Sequence, residues 1–233
     1  MLRIALWWLA IVLDTGGPYL FGAEGWTLVP EDFAERHGAI IIIALGESIV
    51  AIGAGASVDV AVLGAAVLGV VVACALWWLY FDVVSIAAER RLIKASAGRE
   101  RNEIARDSYS YLHFPMVAGI VLVAAGLKQT LAHVSTPLGV VTASAMLGAA
   151  AMYLLAHVAF RWRNMHMLPR HRLIAELLLS AILLVELIAA PAALITLGLL
   201  ALVLCVLILY EVRRFAELRA RLRHQLAQES PAG

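Results

Sequence analysis

The chain has 233 residues, of which 63% are hydrophobic and 15% charged, with a formal net charge of +1 and a mean hydropathy of +0.88. That little polar surface cannot cover a soluble globule, and the apolar residues come in long blocks, so the expected class is all-α: a polytopic transmembrane helix bundle. Cys74 and Cys205 both lie in apolar runs and form no metal or redox motif, which reads them as small packing or lipid-facing residues.

Blocks of about 20 apolar residues match the hydrocarbon core of a bilayer. Seven spans are predicted, near 2–21, 38–57, 60–82, 109–131, 137–160, 173–190 and 192–212, and a basic helical tail over 213–233. In the first span Asp14 precedes Thr15-Gly16-Gly17-Pro18, a run expected to loosen or break the helix. Freed carbonyls beside a carboxylate would suit a cation, as in broken transporter helices; the alternative is that the span ends there and Asp14 meets headgroup water.

Pro30-Glu31-Asp32 reads as a helix start, with proline early and carboxylates in the first turn. One helix from there through Gly55 would carry Arg36 and His37 at the membrane surface and Glu47 deep inside. A charge at the centre of a bilayer helix costs roughly 2.5 to 3.5 kcal/mol on insertion scales, so Glu47 needs a partner, a proton or water. Beside it, Ser48 adds a hydroxyl, and Gly46 and Gly53 on one face would let a neighbouring helix approach.

The fourth span opens with Arg106, Asp107, Tyr109, Tyr111, His113 and Pro115, a polar stripe at helical spacing. His113 could shuttle protons. The two tyrosines read as an interfacial belt, and Arg106 with Asp107 as an ion pair. In the sixth span, Glu176 is expected to pair with the basic segment before it, whereas Glu186 is deeper and joins Glu47, Asp14, His113 and Ser48 as a candidate for ion binding. His157 reads as a packing hydrogen-bond group and Lys128 as a snorkelling side chain. A tight hairpin is expected at Ala190-Pro191-Ala192.

Charge sets the topology. Segments 83–108, 161–172 and 213–223 hold fifteen of the 18 Lys and Arg residues, and under the seven-span scheme all three fall on one side, as the positive-inside rule requires of cytoplasmic loops. The C-terminus is then cytoplasmic in a bacterial inner membrane, the acidic region 24–37 lies on the same side, and the N-terminus lies outside. Such an N-terminus suits a first span that is internal to a longer protein. The basic loops would meet anionic lipid headgroups, and nothing in them requires nucleic acid.

Glu35-Arg36-His37-Gly38 followed by Leu45-Gly46-Glu47-Ser48, and later Arg101-Asn102-Glu103-Ile104-Ala105-Arg106-Asp107-Ser108-Tyr109-Ser110-Tyr111-Leu112-His113-Phe114-Pro115, resembles the bacterial low temperature requirement protein A family. The resemblance runs from the first span to the last. Family members are longer and begin with an apolar segment bearing a Glu-Leu-Phe-Phe-Asp type motif that is absent here. The resemblance therefore implies a C-terminal portion, and with it either a missing N-terminal membrane part or a homo-oligomer as partner. It names no reaction.

No phosphate loop, Cys/His metal spacing, nucleophile elbow or Glu-x-x-His pair occurs, so neither an enzyme nor a cofactor or metal protein is expected. Two functions remain. One is movement of a small cation or proton along a path containing Glu47. The other is a non-transporting scaffold or stress-adaptation protein in which the same polar residues fix helix packing.

Overall fold

A computed structural model describes residues 2–20, 27–82 and 84–217, which form ten α-helices and two π-helical turns with no strand among them. Each of the seven expected ranges holds a helix. α1 spans Leu2–Leu20, α2 Pro30–Gly55, α3 Val60–Phe81, α4 Val84–Lys94 and α5 Arg99–Ile104. A π-helical turn over Ala105–Tyr111 leads into α6 (His113–Ala132). α7 (Val140–Ala143) and a second π turn (Ser144–Gly148) lead into α8 (Ala149–Met165), followed by α9 (Arg170–Ala189) and α10 (Ala193–Arg214).

Among the described residues, five helical stretches are long and apolar enough to cross a membrane: Pro30–Gly55, Val60–Lys94, Arg99–Ala132, Val140–Met165 and Ala193–Arg214. The five do not include α1, which carries Arg3, Asp14 and Pro18, or α9, which carries Arg172, Glu176 and Glu186. α3 alone has 22 residues, enough to cross, which leaves α4 with Arg90, Arg91 and Lys94 beyond the crossing. Most of the tail expected over 213–233 lies outside the described residues.

Local signals account for the helix ends. Pro30 stands in the first turn of α2, with Glu31 and Asp32. Asp59 caps α3, its Oδ1 accepting from the amides of Ala61 (2.8 Å) and Val62 (3.1 Å). α8 and α9 end in left-handed residues, His166 (φ 53°) and Ala190 (φ 43°), so the expected hairpin at 190–192 is present. Pro115 has no N–H to give the preceding turn, and the chain answers with π geometry: the Leu112 amide reaches back to the Asp107 carbonyl at 3.2 Å. This extra residue per turn rotates Tyr109 inward.

The core is built from α2, α3, α6, α8 and α10, with Ile41, Leu76, Ile120, Leu127, Leu154 and Leu200 among its buried residues. Close approach falls at glycines other than those expected. A methyl on Gly126 would stand 2.5 Å from Met146 Cβ, and one on Gly119 would stand 3.0 Å from the Ala149 carbonyl, so α6 meets the second π turn and α8 nearly backbone to backbone. Gly46 and Gly53 have nothing within 4 Å, because they lie away from the buried face of α2, which is Ile41, Ala44, Leu45, Ser48, Ala51 and Ile52.

The described parts of the basic segments, including Arg213 and Arg214 at the end of α10, lie at one end of the bundle, tied by Arg163 to Asp107 (3.0 Å) and by His171 and Arg172 to Glu211 (2.7 Å each). At the other end the α6–α7 and α9–α10 connections pair through Ala193 N–H to Thr136 (2.9 Å) and Leu194 N–H to Val134 (3.1 Å).

Candidate functional site

At the basic end, the two family motifs converge. α2 supplies His37, α3 supplies Tyr80, the first π turn supplies Tyr109 and α6 supplies His113. The His113 ring stacks on Tyr109 at 5.2 Å and meets His37 edge-on at 5.1 Å. Its Nδ1–H donates to the Ser108 carbonyl at 3.0 Å, which leaves Nε2 as acceptor for the Tyr80 hydroxyl at 2.7 Å. Backbone thus sets the tautomer, and the Tyr80 phenol donates to the His113 imidazole in a site that is 3% exposed at His113. His37 Nδ1–H is likewise held by the Phe33 carbonyl at 2.8 Å.

A cavity of about 420 Å³ opens beside this cluster, lined by Glu31 and Glu35 of α2, Glu89 of α4, and Tyr80, Phe81 and Tyr109. Among the described residues no Lys or Arg lines it. Burial, with Glu31 and Glu35 adding to it against the pull of Arg90, pushes the Glu89 carboxyl above its ordinary range. The Tyr109 hydroxyl is buried and has no hydrogen-bond partner among the described residues. Gly38 faces the same space, with Phe81 3.6 Å from where its Cβ would be.

Tyr109 is therefore no interfacial belt residue: it is 1% exposed, turned in by the π geometry. Tyr111 stays at the rim, its ring 4.8 Å from Tyr19 and its hydroxyl donating to the Thr15 carbonyl. Arg106 pairs with Asp107 (2.8 Å) as expected, lies over the Tyr19 ring (4.4 Å) and donates to the Pro18 carbonyl (3.3 Å). The Thr15–Pro18 run does not break α1, which continues through Pro18 to Leu20. Two of its carbonyls serve the opening of the fourth expected span, and Asp14 is exposed.

Glu47 does not join the histidine cluster. It is exposed, in a groove between α2 and α6 that also takes Lys128, about 15 Å along α2 from His37 at 1.5 Å per residue. Ser48 beside it is fully buried, with its hydroxyl unpartnered among the described residues. Glu186 is buried in a third place, accepting from the Thr196 hydroxyl through Oε2. Arg36 lies away from the cavity, in a depression with Asp32 and Phe33.

A second polar cluster escaped the sequence reading. Arg172, 2% exposed, donates through Nε and Nη2 to the two oxygens of Glu211 (2.7 and 2.9 Å), through Nη1 to His157 Nδ1 (2.9 Å) and through Nη2 to the Leu79 carbonyl (3.2 Å). Its guanidinium fork joins α3, α8, α9 and α10. Glu176, expected to pair with this basic segment, instead accepts from Ser180 at 3.1 Å, since Arg172 points inward. The available signal was a carboxylate, Glu211, closing a long apolar run.

Residues 1–209 match the family described as bacterial low temperature requirement A protein (LtrA). The uncharacterized protein RA0937 of Rhizobium meliloti (strain 1021) is 31% identical over 144 residues, 57% of this chain and 34% of that protein, so the chain covers about a third of its relative's length. No solved structure matches. With its apolar helices and a match over most of its length, the chain is an integral membrane protein of the bacterial low temperature requirement A family.

Proposed function

We propose that this protein moves a proton or small cation across the bacterial inner membrane, without enzymatic chemistry, with the basic end and the C-terminus in the cytoplasm. The observation that carries this reading is the acid-walled cavity beside His113, where the Tyr80 phenol donates to the His113 imidazole next to carboxylates with no Lys or Arg among the described residues of the cavity wall. A cation would be drawn in by Glu31, Glu35 and Glu89. His37, His113 and Tyr80 would relay or exchange protons at the cavity floor. Glu47 would supply the carboxylate farther along α2, with Lys128 across the groove as its counter-charge. The basic segments would rest on anionic headgroups, and a second copy or an additional membrane segment would cover the Glu47 groove.

The scaffold reading draws on a different observation: the Arg172 cluster joins four helices through partnered groups and so resembles a packing lock. Ion flux into proteoliposomes under potassium, sodium and proton gradients separates the two. Transport predicts that Glu47→Gln loses flux while expression and melting temperature hold. A matching collapse in detergent stability would instead support the scaffold.

A further inference from the structure

α9 and α10 are joined at both ends. Towards the hairpin Glu186 of α9 accepts from Thr196 of α10, and at the basic end His171 and Arg172 of α9 hold Glu211 of α10. In the half nearer the basic end a groove of about 520 Å³ lies between them, walled by Ile174, Leu178, Leu202 and Val206, with Arg170 and Tyr210 at its mouth. A second depression shares Val206 and Tyr210 with the first and brings Arg213 and Arg214 to the same mouth.

The length of the groove fits one leaflet of a bilayer. Leu178 lies eight residues, about 12 Å, along α9 from Arg170, and Leu202 lies eleven residues, about 16 Å, along α10 from Arg213. Half of a hydrocarbon core of about 30 Å is about 15 Å. A transmembrane helix docked here would run the whole span, whereas this groove ends half-way, which suits an acyl chain. Its walls are open to the lipid phase, with Leu202 58% and Val206 57% exposed.

The mouth selects the headgroup. Arg170, Arg213 and Arg214 are exposed, and among the described residues none of the three is in an ion pair. The carboxylate beside them, Glu211, is already bonded by His171 and Arg172. Three guanidinium groups at the end of an apolar groove complement a phosphate with net negative charge, which the guanidinium fork bonds through two oxygens. The Tyr210 ring, 5.4 Å from that of His171, stands at the same level, where aromatic side chains meet headgroups.

We infer that the α9–α10 groove seats one anionic phospholipid, with an acyl chain along Leu178, Leu202 and Val206 and its phosphate at Arg170, Arg213 and Arg214. The lipid completes the seam between α9 and α10 next to the Glu211 cluster. This goes beyond diffuse contact of basic loops with headgroups, and it does not depend on what the protein transports.

The test is native mass spectrometry of the full chain in detergent, titrated with phosphatidylglycerol and phosphatidylcholine of the same acyl chains. Wild type should retain one phosphatidylglycerol, preferred at least tenfold over phosphatidylcholine. Arg170→Gln/Arg214→Gln should lose that preference, whereas Lys94→Gln/Arg99→Gln, which removes the same charge from α4 and α5, should keep it. Val206→Trp fills the groove and leaves every charge in place, and should weaken phosphatidylglycerol binding at least tenfold. Leu178→Trp fills it from α9 and serves in its place if Val206→Trp does not fold; all variants are compared at equal folded fraction. Glycerol phosphate, a headgroup without chains, should not compete. Equal retention of the two lipids, equal losses in both charge variants, binding unchanged by the tryptophans, or competition by glycerol phosphate at the lipid's own concentration would overturn the inference.

Discussion

The Arg172–Glu211 cluster and the cavity beside His113 are two polar assemblies at the same end of the same bundle, and they differ in closure. Arg172 has a carboxylate, an imidazole and a backbone carbonyl around it, and Glu211 takes His171 as well. The cavity holds three carboxylates, Glu31 and Glu35 of them exposed, with no Lys or Arg among the described residues of its wall. Satisfied charge inside apolar surroundings fixes helices; unsatisfied charge beside a space invites a ligand. The first is built as a packing lock, and the second is the site on which the transport proposal rests.

The largest effect is expected where the closed cluster is opened. Glu211→Ala leaves the Arg172 guanidinium buried without its carboxylate and should cost about 3 to 5 kcal/mol, read as a sharp fall in detergent melting temperature. A variant that melts like wild type would remove the contrast on which the comparison stands. Next come the glycines. Gly126→Ala drives a methyl into Met146 and should cost about 1 to 3 kcal/mol, whereas Gly46→Ala, with open space around it, should be neutral or stabilising by up to about 1 kcal/mol through helix propensity. Destabilisation of the second variant in a lipid bilayer would reveal a helix or second copy packed on the face of α2 that carries Gly46. Tyr109→Phe should be neutral or stabilising by up to about 1 kcal/mol, because a buried hydroxyl with no partner among the described residues carries only its desolvation cost.

The helices were legible because apolar blocks, Pro30, Asp59 and the 190–192 break act locally. Tertiary partners were not. Glu47 drew attention as a carboxylate in an apolar run, but helical periodicity alone does not say which side of α2 meets the bundle, and the buried face includes Ser48 while Glu47 is exposed. His113 was legible as a titratable residue at a span entrance; its link to Tyr80 joins positions 33 residues apart, which no local spacing encodes. Tyr109 was misread because a tyrosine at a span entrance fits an interfacial belt, whereas here it lies in a π turn and is buried. Arg172 was counted as a loop charge because positive-inside reasoning assigns basic residues to water, and its partner Glu211 lies 39 positions away.

The most direct test of the central claim, that the open cavity is functional, is cation flux in proteoliposomes for wild type beside the double variant Glu35→Gln/Glu89→Gln, each normalised to folded protein. The account predicts measurable flux in wild type, at least a tenfold loss in the double variant, about 1.4 kcal/mol in transport terms, and an unchanged melting temperature. Equal flux from both proteins, or none from wild type, would contradict it.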